Sequence, residues 1–310
     1  MTRNRSSRSS VRTSFRTDAN ARRRGGARGP GDLDRGPTRP QDHVDQGITQ
    51  RPVDQHPGGA HELGQNLLVD TQVIDRVVAL VPDADRPLVE WAAGHGALTL
   101  PLARLDRPVE AVEIDPRSVA RLGRTAPGNV TVTRDDILRH APPSGAYDLV
   151  SNVPFHLTTP VLRRLFTLDG WERALLITQW EVARKRAAIG GTTLLTAQWW
   201  PWFTFRLDRR VPAAAFWPRP SVDAGLLVID RRPRPLVPVA DLGRYQRFAA
   251  AVFNGPGRGV REVLTRYGVA RGDVGRWARE NGVGPNALPR DLDSRAWVDA
   301  YAMSVRRRSR

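Results

Sequence analysis

The sequence predicts an α/β fold: a mostly parallel sheet with helices on both faces, followed by a small helical piece. Three observations carry this. Between residues 63 and 230, short apolar runs of strand length alternate with segments of helical periodicity. Helix-start signals, an acid cap or an acid followed by proline, stand at the head of two of those segments, at Asp70 and Asp115-Pro116. Beyond an Arg/Pro break at Arg231–Pro235 the texture becomes helical and basic.

Taken in order, residues 1–60 are dominated by Ser, Arg, Gly, Asp and Pro and lack apolar periodicity. They read as a disordered, Arg-rich arm. An Arg- and Ser-rich, acid-poor start also suits a mitochondrial transit peptide. Met1–Arg16 has few apolar residues from which to build an amphipathic face, so a phosphate-binding arm is the preferred reading.

Asp70 is placed to cap a helix carrying Val73, Ile74, Val77, Val78 and Val81 on one face. The strand candidates are Leu88–Trp91, Val109–Glu113, Val130–Thr133, Tyr147–Ser151 and Ala174–Thr178, with helices Leu98–Leu105, Pro116–Leu122 and Thr159–Phe166 between them. Trp199–Arg210 and Gly225–Asp230 read as later strands that can form an antiparallel pair. Arg231–Pro235 reads as a linker. Asp241–Phe253, Val260–Tyr267, Val274–Glu280 and Ser294–Met303 read as helices of a C-terminal module. The domains expected are thus 1–60, 61–232 and 233–310.

The chain has 310 residues, 40% of them apolar, enough for a core. It contains no cysteine, which excludes disulfides, thiolate zinc sites and cysteine nucleophiles. The six histidines show no ligand spacing, so no metal is expected. No apolar run is long enough to cross a membrane and no apolar h-region follows Met1, so a cytoplasmic protein is expected.

The net charge of +16 is unevenly placed: +8 over residues 1–40, −2 over 41–230 and +10 over 231–310. Basic ends around a near-neutral middle suit a polyanionic partner. Lys185 is the one lysine among 48 basic residues. Arginine favours bidentate phosphate contacts and stacking on bases, but a GC-rich genome gives the same bias, and both explanations stay open.

The first site-building segment is Glu90-Trp91-Ala92-Ala93-Gly94-His95-Gly96-Ala97-Leu98-Thr99. A strand carrying an acid near its end runs into a turn of small residues, where a ligand can approach the backbone. Glu113, at the end of the next strand, can bind the hydroxyls of a ribose. Asp136, after the third strand, can accept from an adenine amino group. Three acids at three successive strand ends define one crevice. A dinucleotide-binding GxGxxG would need a glycine at position 99, where Thr99 stands. The reading therefore favours an adenosine-bearing ligand without a pyrophosphate.

The second segment is Ser151-Asn152-Val153-Pro154-Phe155. Pro154 forces Val153 into an extended conformation, which can aim the Val153 carbonyl and the Asn152 side-chain oxygen into the crevice. Two converging acceptors suit an exocyclic amino group. Adenine N6 is a poor nucleophile because its lone pair is delocalised into the ring. Acceptors on both N–H bonds help to localise that pair, and Phe155 can stack on the base.

These residues resemble a known family. Gln65-Asn66-Leu67, the Glu90–Thr99 turn, Glu113-Ile114-Asp115, Asp135-Asp136-Ile137-Leu138, Asn152–Phe155, Gln179–Lys185 and Phe216-Trp217-Pro218-Arg219-Pro220-Ser221-Val222-Asp223 occur in the order of the Erm class of 23S ribosomal RNA adenine-N6 methyltransferases. The KsgA/Dim1 small-subunit dimethyladenosine transferases share most of these motifs. The resemblance spans about residues 61–310. Gly64-Gln65-Asn66 and the absence of FxxRRK around Phe253–Gly259 favour the Erm branch.

Three positions depart from the pattern. Ala92 replaces a usual glycine; alanine fits if the backbone remains at negative φ, and altered cofactor affinity at most is expected. Trp180 replaces a lysine, and Phe155 a commoner tyrosine.

The resemblance implies a Rossmann-like S-adenosylmethionine-dependent methyltransferase sheet with a small C-terminal helical domain. It implies a catalytic set of Asn152, Val153, Pro154 and Phe155. It also implies a cofactor set of Gln65, Asn66, Leu67, Glu90, Ala92, Gly94, Glu113, Ile114, Asp135, Asp136, Ile137 and Asn152. Glu113 would hold the ribose and Asp136 the adenine; Gly94 and the Glu90 region would hold the methionine portion, with Gln65 and Asn66 over it. The implied partner is 23S rRNA, with no membrane and no metal, and the protein is taken as a monomer. The implied outcome is resistance to macrolides, lincosamides and streptogramin B. A 16S rRNA dimethyltransferase, a DNA adenine methyltransferase and a catalytically inactive nucleic-acid binder remain the alternatives.

Overall fold

The computed structural model describes residues 66–306. The expected N-terminal arm and Gln65 lie outside the described residues.

The strands are β1 (Leu67–Leu68), β2 (Leu88–Trp91), β3 (Val109–Glu113), β4 (Val130–Arg134), β5 (Tyr147–Asn152), β6 (Trp171–Gln179), β7 (Phe203–Val211), β8 (Phe216–Trp217) and β9 (Ala224–Arg231). The helices are α1 (Thr71–Leu80), α2 (Thr99–Ala103), α3 (Pro116–Thr125), α4 (Thr158–Thr167), α5 (Trp180–Arg186), α6 (Leu194–Trp199), α7 (Leu242–Phe253), α8 (Val260–Arg266), α9 (Arg271–Glu280) and α10 (Ser294–Arg306).

Among the described residues, seven strands form one sheet in the order β4-β3-β2-β5-β6-β9-β7, and β1 pairs with β8. The first five are mutually parallel. β9 runs antiparallel to β6 and to β7, which is the antiparallel pair the sequence suggests. Chain order reverses between β2 and β5: β3 and β4 lie to one side, β6 to the other. Such a reversal opens a crevice at the carboxyl ends of the strands, because successive crossovers depart in opposite directions there.

The central strands are rich in apolar residues and largely buried because both of their faces are covered. Side chains alternate between faces. Leu149, Leu176, Leu227 and Ile229 enter the core shared with α4 and the C-terminal helices. Val150, Leu175, Ile177, Leu226 and Val228 enter the core under α1 and α2. The helix starts follow local chemistry. The Asp70 carboxylate accepts from the backbone N–H groups of Gln72 and Val73, and Asp115 accepts from those of Arg117 and Ser118.

Two expectations are corrected here. The strand expected over Trp199–Arg210 begins only at Phe203; Trp199 closes helix α6. The aromatic run Trp199–Phe203 is apolar because it meets the core, not because it is extended. Phe203 stacks on Trp171 at 4.7 Å and on Phe166 at 5.2 Å.

Arg231–Pro235, expected as a free linker, is bound to the sheet. Arg231 donates to the carbonyls of Trp171 and Leu168, each at 2.8 Å, and lies over the Trp171 ring. Arg232 donates through Nε to Trp200 O at 3.0 Å. The C-terminal helices then share the core: Tyr245 meets Trp202 at 5.5 Å and donates its hydroxyl to Ala197 O at 2.9 Å. Packing is thus continuous from the sheet to α10.

Candidate active site

A cleft of about 180 Å³ lies over the carboxyl ends of β2, β3 and β5, at the reversal in strand order. Its wall brings together Asn66, Leu67, Ala92, Gly94, Glu113, Ile114, Asp136, Ile137, Asn152, Val153, Pro154 and Phe155. Residues spread over 90 positions of sequence converge because the parallel strands all end at the same edge.

The turn after β2 is the floor. Gly94 has φ +55 and Gly96 φ +89, conformations that L side chains rarely adopt. A Cβ on Gly94 would come within 3.2 Å of Leu67 Cδ2, and one on Gly96 within 2.6 Å of Leu122 Cδ1. Ala92 also adopts the left-handed region, at φ +59. The condition of negative φ is not met: the turn imposes its geometry on the residue, and alanine bears the cost, on the order of 1–2 kcal/mol.

Glu113, 2% exposed, holds the turn in place. Its Oε2 accepts from Gly94 N at 2.8 Å, and its Oε1 accepts from Ile114 N and Asp115 N, each at 2.9 Å. A carboxylate has about four acceptor positions, so the free capacity is on Oε2, toward the cleft. That is room for one hydroxyl rather than an unencumbered carboxylate waiting for two. Asp136 accepts from Leu138 N through Oδ1 at 2.9 Å; among the described residues Oδ2 accepts nothing.

Glu90 and Asp135 are not on the cleft wall. Glu90 stands one residue before the end of β2, on the same face as Leu88, and that face looks toward α2. It is buried, and Thr99 Oγ1 donates to its Oε2 at 2.5 Å. Burial pushes its carboxyl up to about 8; the Thr99 hydrogen bond opposes this and the Glu113 charge adds to it. Of the three acids expected in one crevice, Glu113 and Asp136 reach it, and Glu90 lies under the turn. Asp135 turns back on the chain, accepting from Asp136 N at 2.7 Å.

Behind the wall, Ser151 Oγ donates to Trp91 O at 2.7 Å, and Trp91 Nε1 donates to His140 Nδ1 at 3.2 Å. That leaves the ring proton of His140 on Nε2, facing Glu110 Oε1 at 3.1 Å. This chain of bonds ties β2, β3 and β5 together beneath the cleft.

The reacting end is built by Asn152–Phe155. Val153 N donates to Ile177 O at 3.0 Å, the last bond between this segment and β6. Pro154 then turns the chain into a short 3₁₀ turn, Phe155–Leu157. Among the described residues the Val153 carbonyl accepts no hydrogen bond. Asn152 Nδ2 donates to Asn66 O at 2.7 Å, which fixes the amide and leaves Oδ1 as its unoccupied acceptor. Phe155 is braced edge-on by Phe216, with centroids 6.3 Å apart.

His156 and Leu157 also line the cleft although the sequence reading did not select them. The turn signal at Pro154 was the available clue. Asn66 contributes through its backbone carbonyl, which no side-chain motif could reveal. Among the described residues, no group of three or more His, Asp or Glu is placed to hold a metal ion.

The mycinamicin-resistance protein MyrB of Micromonospora griseorubida is 47% identical over 247 residues, 79% of each chain. An rRNA adenine N-6-methyltransferase of Corynebacterium diphtheriae is 44% identical over 211 residues, 68% of this chain and 83% of the relative. The crystal structure of the 23S rRNA methyltransferase ErmE superposes with a TM-score of 0.70 at 29% identity, covering 77% of this chain and all of that one. Residues 59–301 match the ribosomal RNA adenine dimethylase family, and the chain belongs to that family.

Proposed function

We propose that the protein transfers a methyl group from S-adenosylmethionine to N6 of an adenine in the peptidyl-transferase region of 23S rRNA, and so confers resistance to macrolides, lincosamides and streptogramin B. The observation that carries this reading is the pair of unoccupied acceptors, Asn152 Oδ1 and Val153 O, on residues that line the same cleft as Phe155. The name of MyrB supports drug resistance, and that of ErmE supports 23S rRNA as the substrate.

The cleft fits the methyl donor. A turn of small residues leaves backbone open at Ala92 and Gly94, Glu113 keeps one acceptor position on Oε2, and Asp136 keeps Oδ2. In this reading Glu113 takes a ribose hydroxyl, Asp136 the adenine amino group, and Ile114 and Ile137 flank the base. Asn66, Leu67 and Gly94 face the methionine portion. Glu90 and Asp135 act at one remove, by holding the turn and the loop; Gln65 completes the set in sequence. The bound donor supplies an electrophilic methyl group on a sulfonium.

The chain's own task is to present the acceptor. Asn152 Oδ1 and Val153 O each take one N6–H bond, which draws the lone pair out of conjugation and toward the methyl carbon. With the donor bound, the methyl group would pass from sulfur to N6, the donor being left as a neutral thioether. N6 then sheds one proton to water, since an amide oxygen and a peptide carbonyl are too weakly basic to keep it. Phe155 stacks on the adenine, which must be unpaired to enter. Positioning supplies much of the rate.

Residues 233–310 and the Arg-rich residues 1–60 would add phosphate contacts with little sequence information. Arg258, with its side chain 98% exposed, stands between α7 and α8 and is one of many cations in the C-terminal region. The reading takes the protein as a monomer without a resident metal. Among the described residues no helix is long and apolar enough to cross a membrane.

The test is tritiated methyl transfer to purified 23S and 16S RNA by wild type and Asn152→Ala, followed by primer extension. One labelled adenine in domain V of 23S RNA, lost in the variant, is the expected result. Label confined to 16S RNA would assign the protein to small-subunit methylation instead.

A further inference from the structure

Beside the cleft, the fold leaves one large aromatic side chain in solvent. Trp217 is 56% exposed, whereas Phe216 before it is buried and braces Phe155. In the β1–β8 pair, Trp217 lies opposite Leu67, which is part of the cleft wall. The two-residue strand thus sends one aromatic ring against the wall and leaves the next at the rim. Among the described residues the indole of Trp217 makes no aromatic pair, and no cation lies over its face.

The position is held firmly. Val69 N and Asp70 N donate to Ala215 O at 2.8 and 3.3 Å. Asp223 accepts from Ala213 N at 2.8 Å and from Arg210 Nε at 2.7 Å, closing the loop that carries Trp217. An exposed indole on a braced backbone gains nothing for the fold, because its apolar face remains in water.

Charge narrows the choice of partner. Arg219, two residues on, is exposed and forms no ion pair among the described residues. The nearby acids are engaged: Asp223 by Arg210, and Asp208 by Arg76, Arg206 and Arg209. A flat aromatic face beside an exposed guanidinium matches a nucleobase and its phosphate. Whatever rests on Trp217 lies beside the base held at Asn152 and Phe155. In a polynucleotide, that neighbour is the adjoining nucleotide.

We propose that Trp217 stacks on the unpaired nucleobase next to the target adenine, with Arg219 contacting a phosphate of the same segment. This rests on the RNA-methyltransferase reading above. Trp217 is a substrate-positioning residue; it strengthens RNA binding without entering the chemistry.

The test uses the full-length protein and a domain V transcript carrying 2-aminopurine at either neighbour of the target adenine. With wild type, fluorescence at one of the two positions should change on binding. Trp217→Ala should abolish that change and raise KM for RNA about tenfold, within the range one base–aromatic stack supplies. kcat and the affinity for S-adenosylmethionine should be unchanged, and Trp217→Phe should recover most of the loss. Wild-type KM and fluorescence in Trp217→Ala would overturn the proposal, as would a phenylalanine variant as impaired as the alanine one. If wild type neither binds nor methylates the transcript, the RNA reading itself fails and this inference goes with it. If wild type methylates normally while Trp217→Ala is silent, only the role of Trp217 is lost.

Discussion

At the amino-terminal edge of the parallel strands, Asp148 is closed off by cations; at the carboxyl-terminal edge, Glu113 and Asp136 are held by backbone amides and keep acceptor capacity. Asp148 is 2% exposed. It takes Arg86 Nε and Arg107 Nη2, both at 2.9 Å, and Arg173 N at 3.2 Å. Arg107 in turn donates to the carbonyls of Pro82 and Ala84. That cluster joins the loops before β2, β3 and β5 and faces no cleft.

Glu113 uses three peptide N–H groups to fix a turn and still offers an oxygen to the cleft. Two acids of one sheet thus serve different ends. Pairing with buried guanidinium away from any cavity marks a structural group. Anchoring by backbone amides beside a cavity marks one available to a ligand.

The contrast can be broken by mutation, beginning with the reacting edge. Asn152→Ala should lower methyl transfer by at least about 10²-fold, the scale on which a single preorganised hydrogen-bonding group acts. Calorimetry with S-adenosylmethionine should show the cofactor still bound. Retained turnover would detach Asn152 from the chemistry.

At the opposite edge, Asp148→Ala should lower unfolding stability by about 3–5 kcal/mol, because Arg107 is left buried without a counter-charge. Urea denaturation reads this directly. A loss below about 1 kcal/mol would mean that the cluster is solvated after all.

Glu90 gives a pH signature. Its carboxyl ordinarily titrates near 4.5 and is pushed up to about 8 in the folded protein. The folded state therefore keeps a proton that the unfolded chain has released. Stability from this group is complete below about 4.5 and is lost as pH rises toward 8. Urea midpoints measured across that window should fall for wild type and stay flatter for Glu90→Gln; parallel curves would refute a protonated Glu90.

The smallest effect is expected at Ala92. Replacing it by glycine relieves the left-handed backbone but frees the unfolded chain, so the net gain is at most about 1 kcal/mol. A thermal melt of Ala92→Gly checks it, and a clear loss of stability would count against the φ of this turn.

Much of this architecture is legible in the sequence. The bounds of β2 and β3 follow from buried apolar runs between turn-forming residues, and the starts of α1 and α3 from Asp70 and Asp115-Pro116. Helices α5 and α6 were missed, being seven and six residues long and too short for periodicity to declare itself. The site was legible as a set of strand-end residues, since parallel strands bring their carboxyl ends to one edge. Its depth was not. Whether an acid one residue inside a strand faces the cleft or the helix beneath it depends on strand phase, and at Glu90 that phase points to Thr99.

By itself the sequence determined the α/β alternation, the caps, the Asn152–Phe155 turn and the family, because each is written in local spacing and residue type. Only the tertiary structure decided the rest. The Asn66 carbonyl orients the Asn152 amide across 86 positions, Ala92 is forced to positive φ by the turn it occupies, and Arg231 is drawn onto Trp171. These are long-range contacts. Their energies depend on which surfaces the sheet brings together, and no window of sequence contains both partners.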